Sequence, residues 1–233
     1  ALKEGQSVTE TYLVRVTDDK GAYAEQTVSV TINGTNDVPV ATTTTDLLGT
    51  VKEAGNEDNG DIVAGTATAG GTLTSTDVDA NATKAWSIVG TPSATYGAFT
   101  VNAATGAWTY VLDNSLDTTQ GLTEGQTEFQ TYVVRATDDQ GAMVDQTVTI
   151  TLKGTNDAPV ATFEAAQTAT EAGDVVGGQL TSSDVDASDD ATYSLVGEAI
   201  EGLTINADGS WTFDPTVGAY DHLAAGAEQE ITV

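Results

Sequence analysis

One stretch of this chain is written twice. Residues 4–39 and 124–159 align without gaps and agree at 21 of 36 positions. A shared turn habit does not produce that agreement, so the chain carries a duplicated unit, and its fold must be one that can be strung end to end. Both copies close on the same run, Gly34-Thr35-Asn36-Asp37-Val38-Pro39 and Gly154-Thr155-Asn156-Asp157-Ala158-Pro159, 120 residues apart. Pro cannot donate to a central ladder, and Asn and Asp favour turns, so each run ends one element and begins another. A second block recurs at a smaller offset: 73–80 returns as 180–187 and 86–90 as 193–197, because the loop 56–69 is longer in the first copy. The repeat therefore frames one complete unit, residues 38–157. Residues 1–37 read as the closing hairpin of a preceding unit, and 158–233 as the first two thirds of a following one.

Within this frame the apolar residues alternate. Tyr12, Val14 and Val16 interleave with Leu13 and Arg15, and Val28, Val30 and Ile32 interleave with Thr27, Ser29 and Thr31. A period of two is that of a half-buried strand. Asp18-Asp19-Lys20-Gly21 makes the turn between them, and the same hairpin recurs over 129–136 and 143–152 around a turn at 138–141. Further strands are expected at 38–45, 71–75, 85–89, 98–101 and 107–112. About seven short strands with turn signals between them, in about 120 residues, predict an immunoglobulin-like β-sandwich. Trp86, Phe99, Trp108 and Tyr110 are its expected core, with Trp211 and Phe213 in the places of Trp108 and Tyr110 in the next copy. The fold class read here is all-β: tandem immunoglobulin-like β-sandwiches.

The charge is lopsided. The chain has 35 acidic and 7 basic residues and a formal net charge of −28. Nucleic acid and anionic membrane surfaces need a cationic face, so neither is an expected partner. No apolar run reaches the length of a membrane helix, and the chain is expected to be soluble. The absence of Cys excludes disulfides, thiolate metal sites and thiol catalysis.

The acidic residues are placed by the repeat. Ca²⁺ takes about six to eight oxygen ligands, more than any one short loop of this chain supplies. Oxygens converge instead from separate stretches: Asp18 and Asp19 in the hairpin turn, Asn36 and Asp37 in the junction, Glu53 in a Glu-Ala-Gly run, and Asp77 and Asp79 in an Asp-x-Asp loop. The second junction repeats the list with Asp138, Asp139, Asn156, Asp157, Glu171, Asp184 and Asp186. The hairpin turns are the weakest members, since in a simple end-to-end array they sit at the far end of a unit. An Asp-x-Asp pair on extended backbone sends both carboxylates to one side, and such a cluster repels itself unless a cation joins it.

The Gly-Thr-Asn-Asp-x-Pro run, the Asp-x-Asp loop and Thr-Asp-Asp-x-Gly together resemble the VCBS and cadherin-like repeats of giant bacterial RTX adhesins. The resemblance implies a Ca²⁺-stiffened extender of a cell-surface, biofilm-type adhesin, exported to the extracellular side by a type I system. It assigns Asn36, Asp37, Glu53, Asp77 and Asp79 to the first junction, and Asn156, Asp157, Glu171, Asp184 and Asp186 to the second. The glycine-rich nonapeptide array of RTX proteins is absent from this sequence.

Nothing in the sequence marks an enzyme. His222 is the sole His, and no nucleophile elbow, phosphate loop or zinc-binding helix motif occurs. The alternative to an extender is a Ca²⁺-dependent module for sugar or peptide, whose natural seat is the loop 56–69 found in one copy alone. The expected partners are neighbouring repeats. Because 1–37 supplies what 158–233 lacks, head-to-tail strand exchange between chains is a further expectation.

Overall fold

The computed structural model describes residues 1–57, 60–162, 167–186 and 189–232. Ala187, which closes the repeated Asp-x-Asp block, and part of the loop 56–69 lie outside the described residues. Strand takes 43% of the chain and helix 2%, as the all-β reading expects. The elements are β1 (Ser7–Thr17), β2 (Tyr23–Asn33), β3 (Val40–Ala41), β4 (Leu48–Lys52), β5 (Gly55–Asn56), β6 (Ile62–Val63), β7 (Thr68–Thr72), β8 (Ser75–Thr76), β9 (Lys84–Ile88), β10 (Gly97–Val101), β11 (Ala107–Leu112), α1 (Asp117–Gln120), β12 (Thr127–Asp138), β13 (Met143–Lys153), β14 (Val160–Ala161), β15 (Val176–Gln179), β16 (Ser182–Ser183), β17 (Leu203–Ile205) and β18 (Ser210–Phe213).

Residues 38–157 build two sheets face to face. One has the order β4-β13-β12-β9, the other β10-β11-β7. The alternation read from the sequence sets which side chains point inward. Tyr132, Val134 and Ala136 of β12, Val148, Ile150 and Leu152 of β13, and Trp108, Tyr110 and Leu112 of β11 are all buried. Phe99 stacks on Tyr132 with ring centroids 4.3 Å apart, and Trp108 Nε1 donates to Asp46 O at 2.9 Å. Each buried Val, Leu, Ile or Phe side chain among them contributes about 1.5–3 kcal/mol by leaving water, so the core carries this unit.

Leu48–Lys52 is a strand the sequence reading left out. Its pairing with β13 is parallel, Leu48 opposite Thr149 through Lys52 opposite Lys153. Its alternation is hidden because Gly49 takes an inward position. A Cβ there would meet Ile150 Cδ1 at 2.8 Å and Ala69 Cβ at 2.9 Å, so the two sheets approach too closely for a side chain.

The hairpins β1–β2 and β12–β13 have the same register, 120 residues apart: Ser7 faces Asn33 as Thr127 faces Lys153. Asp18 Oδ1 accepts from the N–H groups of Lys20 and Ala22 at 2.9 and 2.8 Å, and Asp138 Oδ1 serves Gln140 and Ala142 at the same distances. Each is an Asp that folds its own turn. The glycine that opens each junction run is required by contact: a Cβ on Gly154 would lie 2.2 Å from Thr123 O, and one on Gly34 2.4 Å from Lys3 O.

Residues 158–232 reproduce part of the same plan. β14 pairs with β16 as β3 does with β8, and the sheet β15-β18-β17 mirrors β7-β11-β10. Trp211 and Phe213 are only half-buried, where Trp108 and Tyr110 are fully enclosed.

Candidate metal centre at the unit junctions

The chain leaves β13 and enters the second junction held against the end of β4. Glu53 N donates to Lys153 O at 2.9 Å, Thr155 Oγ1 to Glu53 O at 3.0 Å, and Asn56 N to Asn156 O at 2.5 Å. Asn114 closes both backbone groups of Ala54, accepting from its N–H at 3.0 Å and donating to its carbonyl at 3.3 Å. The Glu53 side chain is fully enclosed. Its carboxylate accepts from Gln120 Nε2 at 2.9 Å and from Thr155 N at 3.3 Å.

Across the joint, Asp157 N donates to Asp186 Oδ2 at 2.5 Å, and Asp186 N donates to Asp184 Oδ1 at 3.0 Å. Asp184, Asp186 and Asp189 each bring a carboxylate oxygen within 4.8 Å of the others. Asp157 Oδ2 and Asp186 Oδ1 are buried and accept no hydrogen bond. No ion pair relieves the group among the described residues; the three that form there are Lys3–Asp139, Arg15–Glu25 and Arg135–Asp145.

The electrostatics follow from this crowding. Burial pushes Glu53 from its ordinary 4.5 up to about 7, with the charges of Asp157 and Asp186 adding to the push and the Thr155 and Gln120 donors opposing it. Burial, then the charges of Asp186 and Asp184, raises Asp157. Burial also raises Asp186; the Asp157 N–H opposes it, and Asp189 and Asp184 add to it. Buried oxygens without donors, carried by carboxylates that resist ionisation together, are the donor set of a hard cation that prefers oxygen. The residues present fit Ca²⁺.

The first junction has the same skeleton. Asp37 N donates to Asp79 Oδ2 at 2.8 Å, Asp79 N to Asp77 Oδ1 at 2.9 Å, and Asp77 Oδ2 and Asp79 Oδ1 are buried without partners. Asn36 Nδ2 donates to Asp138 Oδ2 at 3.1 Å. A cavity of about 270 Å³ opens beside this group, lined by Pro39, Ser75, Asp77, Asp79 and Lys84 among others. Lys84 Nζ enters it and donates to Ser75 O. Its counterpart by the repeat, Ala191, brings no charge to the second junction.

Four assignments read from the order of residues change, those of Glu53, Asp138, Asp139 and Glu171. Glu53 stands at the second junction, not the first, and Asp138 and Asp139 stand at the first, not the second. The parallel β4–β13 pairing is the reason. The end of β4 must lie where β13 exits, and the end of antiparallel β12 must lie at the opposite pole. Burial works against ionisation of Asp138, but donors from Asn36, Ala142, Gln140 and Gly141 hold it below the usual carboxylate range. Asp139 is held low by Lys3, 3.1 Å away, and by the Thr83 N–H. Glu171 is exposed in the turn where Ala172 N reaches Pro215 O, as Ala54 reaches Asn114. By the repeat that is the far pole of its unit, away from Asp157. Asp18 and Asp19 are exposed at the turn of β1–β2. Gln120 and Asp189 were not read from the sequence. The counterpart of Asp189 in the first copy is Ala82, so the repeat hid it, and nothing in the sequence singles out Gln120.

Without metal, the raised carboxylates make the folded state hold more protons than the unfolded one. That contribution is present below about pH 4.5 and is lost as pH rises through about 7. For Glu53 alone the loss is about 3 kcal/mol at most. The chelated chain should therefore melt at a higher temperature at pH 5 than at pH 8, by scanning calorimetry, and Glu53→Gln should flatten the difference.

Residues 156–232 match the family model of a bacterial Ig domain. Among solved structures, the chain is similar to mouse Cadherin-23 EC22-24, with a TM-score of 0.45 and 19% identity, covering 87% of this chain and 63% of that one. It is similar to human CDH23 EC21-23, with a TM-score of 0.45, 14% identity and coverage of 88% and 63%. It is also similar to Drosophila N-cadherin EC1-4, with a TM-score of 0.38, 15% identity and coverage of 89% and 49%. The chain thus spans less than two thirds of each of these structures. No curated protein matches it. No helix among the described residues is long and apolar enough to cross a membrane. His222 is exposed, with Nδ1 2.9 Å from Ala219 O, and nothing about it points to catalysis.

Proposed function

We propose that this chain is an extender segment of a secreted bacterial cell-surface adhesin, whose units are locked end to end by Ca²⁺ at their junctions. What carries the reading is the pair of buried, partnerless carboxylate oxygens at each junction: Asp77 and Asp79 at the first, Asp157 and Asp186 at the second. At the second junction Glu53, Asn156, Asp157, Asp184 and Asp186 would hold the ion, with Asp189 beside them. At the first, Asn36, Asp37, Asp77, Asp79 and Asp138 would. Bound Ca²⁺ supplies positive charge that lets these carboxylates stay ionised side by side. The chain's own residues do the rest. Thr155 and Asn56 tie the linker to the middle unit, Asn114 fixes Ala54 next to Glu53, Gln120 orients Glu53, and Asp186 receives the linker N–H of Asp157 from the next unit. Display outside the cell after type I export, in support of adhesion and biofilm formation, completes the reading. The loop 56–69 does not favour a sugar- or peptide-binding module, because its Asn56 is engaged with the linker at Asn156.

Calorimetric titration of the chelated chain tests this. Ca²⁺ should bind, and Asp157→Asn with Asp186→Asn should remove the second junction's share of the heat while leaving the first. An unchanged titration in the double variant would overturn the assignment.

A further inference from the structure

After its Glu-Ala-Gly run the middle unit takes a detour. Leu73 lies 20 residues beyond Glu53, whereas Leu180 lies 9 beyond Glu171. Part of that length forms the small hairpin β5–β6, in which Gly55 pairs with Val63 and Asn56 with Ile62. Lys52 and Thr66 hold its base by exchanging both backbone hydrogen bonds, at 3.0 and 2.8 Å. The outer edge of β5 is occupied by the linker. Asn56 N donates to Asn156 O, and the two residues form an antiparallel bridge, so the linker lies against the hairpin as a third strand. A Cβ on Gly55 would sit 2.4 Å from Asn156 O and 3.1 Å from Thr155 Cγ2, so glycine is required there by the closeness of the two backbones. The linker's partners change after this point. Lys153, Thr155 and Asn156 bond to the middle unit, and Asp157 N bonds to Asp186 of the next. Two residues on, Pro159 fixes its own φ and keeps Ala158 extended.

We infer that β5–β6 is an ion-independent brace, which splints the linker to the middle unit as far as Asn156 and confines the hinge of the joint to Asp157. The bonds from Asn56 to Asn156 and between Lys52 and Thr66 join backbone to backbone and involve no carboxylate. The brace therefore goes beyond the cation reading and holds in chelator. With the residues before Asp157 tied down and Ala158-Pro159 restricted, Asp157 is the position left to absorb a change of angle between the units. The extra length of the middle copy thus has a mechanical role: it narrows a flexible linker to a single pivot beside the carboxylates that face it.

Backbone amide NMR relaxation on the whole chain in chelator tests this. Asn156 should show an order parameter of about 0.85, that of rigid backbone, and Asp157 one below about 0.6, that of a flexible residue. Gly55→Ala places a Cβ against Asn156 O and should bring Asn156 down to the Asp157 value. The unmodified chain is decisive even where the variant does not fold: equal order parameters at Asn156 and Asp157 would overturn the inference. So would a folded Gly55→Ala chain in which Asn156 stays rigid. Stiffening of Asp157 on addition of Ca²⁺ reports on the cation reading instead, so the two readings fail separately.

Discussion

Adding Ca²⁺ to the chelated chain should raise its melting temperature by about 10 °C for each saturated junction. One site at a free-ion concentration of about 100 times its Kd stabilises the bound state by about 2.7 kcal/mol. A domain of this size gains about 4 °C per kcal/mol. The effect is large because burial first, and the neighbouring carboxylate charges second, push Glu53, Asp157 and Asp186 above their ordinary range, and the cation offsets that cost as it binds. It should be larger at the second junction, where Lys84 has no counterpart. Scanning calorimetry with and without chelator reads it, and a melting temperature that ignores Ca²⁺ would contradict the electrostatic account.

The second large effect separates the closed unit from the open one. Trp108→Ala should cost about 3–5 kcal/mol, the range for removing a buried aromatic side chain. The ring is 1% exposed, stacks with Phe99 at 5.7 Å between centroids, and donates from Nε1 to Asp46 O, so truncation removes packing and strands a carbonyl. Trp211→Ala should cost less than about half as much, because a ring that is half in water loses less transfer free energy. Urea unfolding of the two variants reads the difference. Equal costs would mean that the third unit is as closed as the middle one.

What the sequence discloses and what it hides divide along a physical line. Strand alternation is local, so β12, β13 and β11 and the inward positions of Trp108, Tyr110 and Phe99 are legible from spacing alone. The partners of Asp37 and Asp157 are legible too, because the repeat moves junction and Asp-x-Asp loop together. The pole at which Glu53 and Asp138 sit is not local. It depends on β4 running parallel to β13, and β4 is masked by Gly49, which takes an inward position where a side chain would collide with Ile150. One unread strand therefore exchanged two sets of ligands between junctions. Asp189 escaped for the opposite reason: a search for what repeats passes over what a single copy has.

Small-angle X-ray scattering on the whole chain, with and without Ca²⁺, tests the central claim most directly. The account predicts a narrower spread of inter-unit angles and a longer, rod-like distance distribution when Ca²⁺ is bound, both lost in the Asp157→Asn, Asp186→Asn double variant. Superimposable curves in Ca²⁺ and in chelator would contradict it.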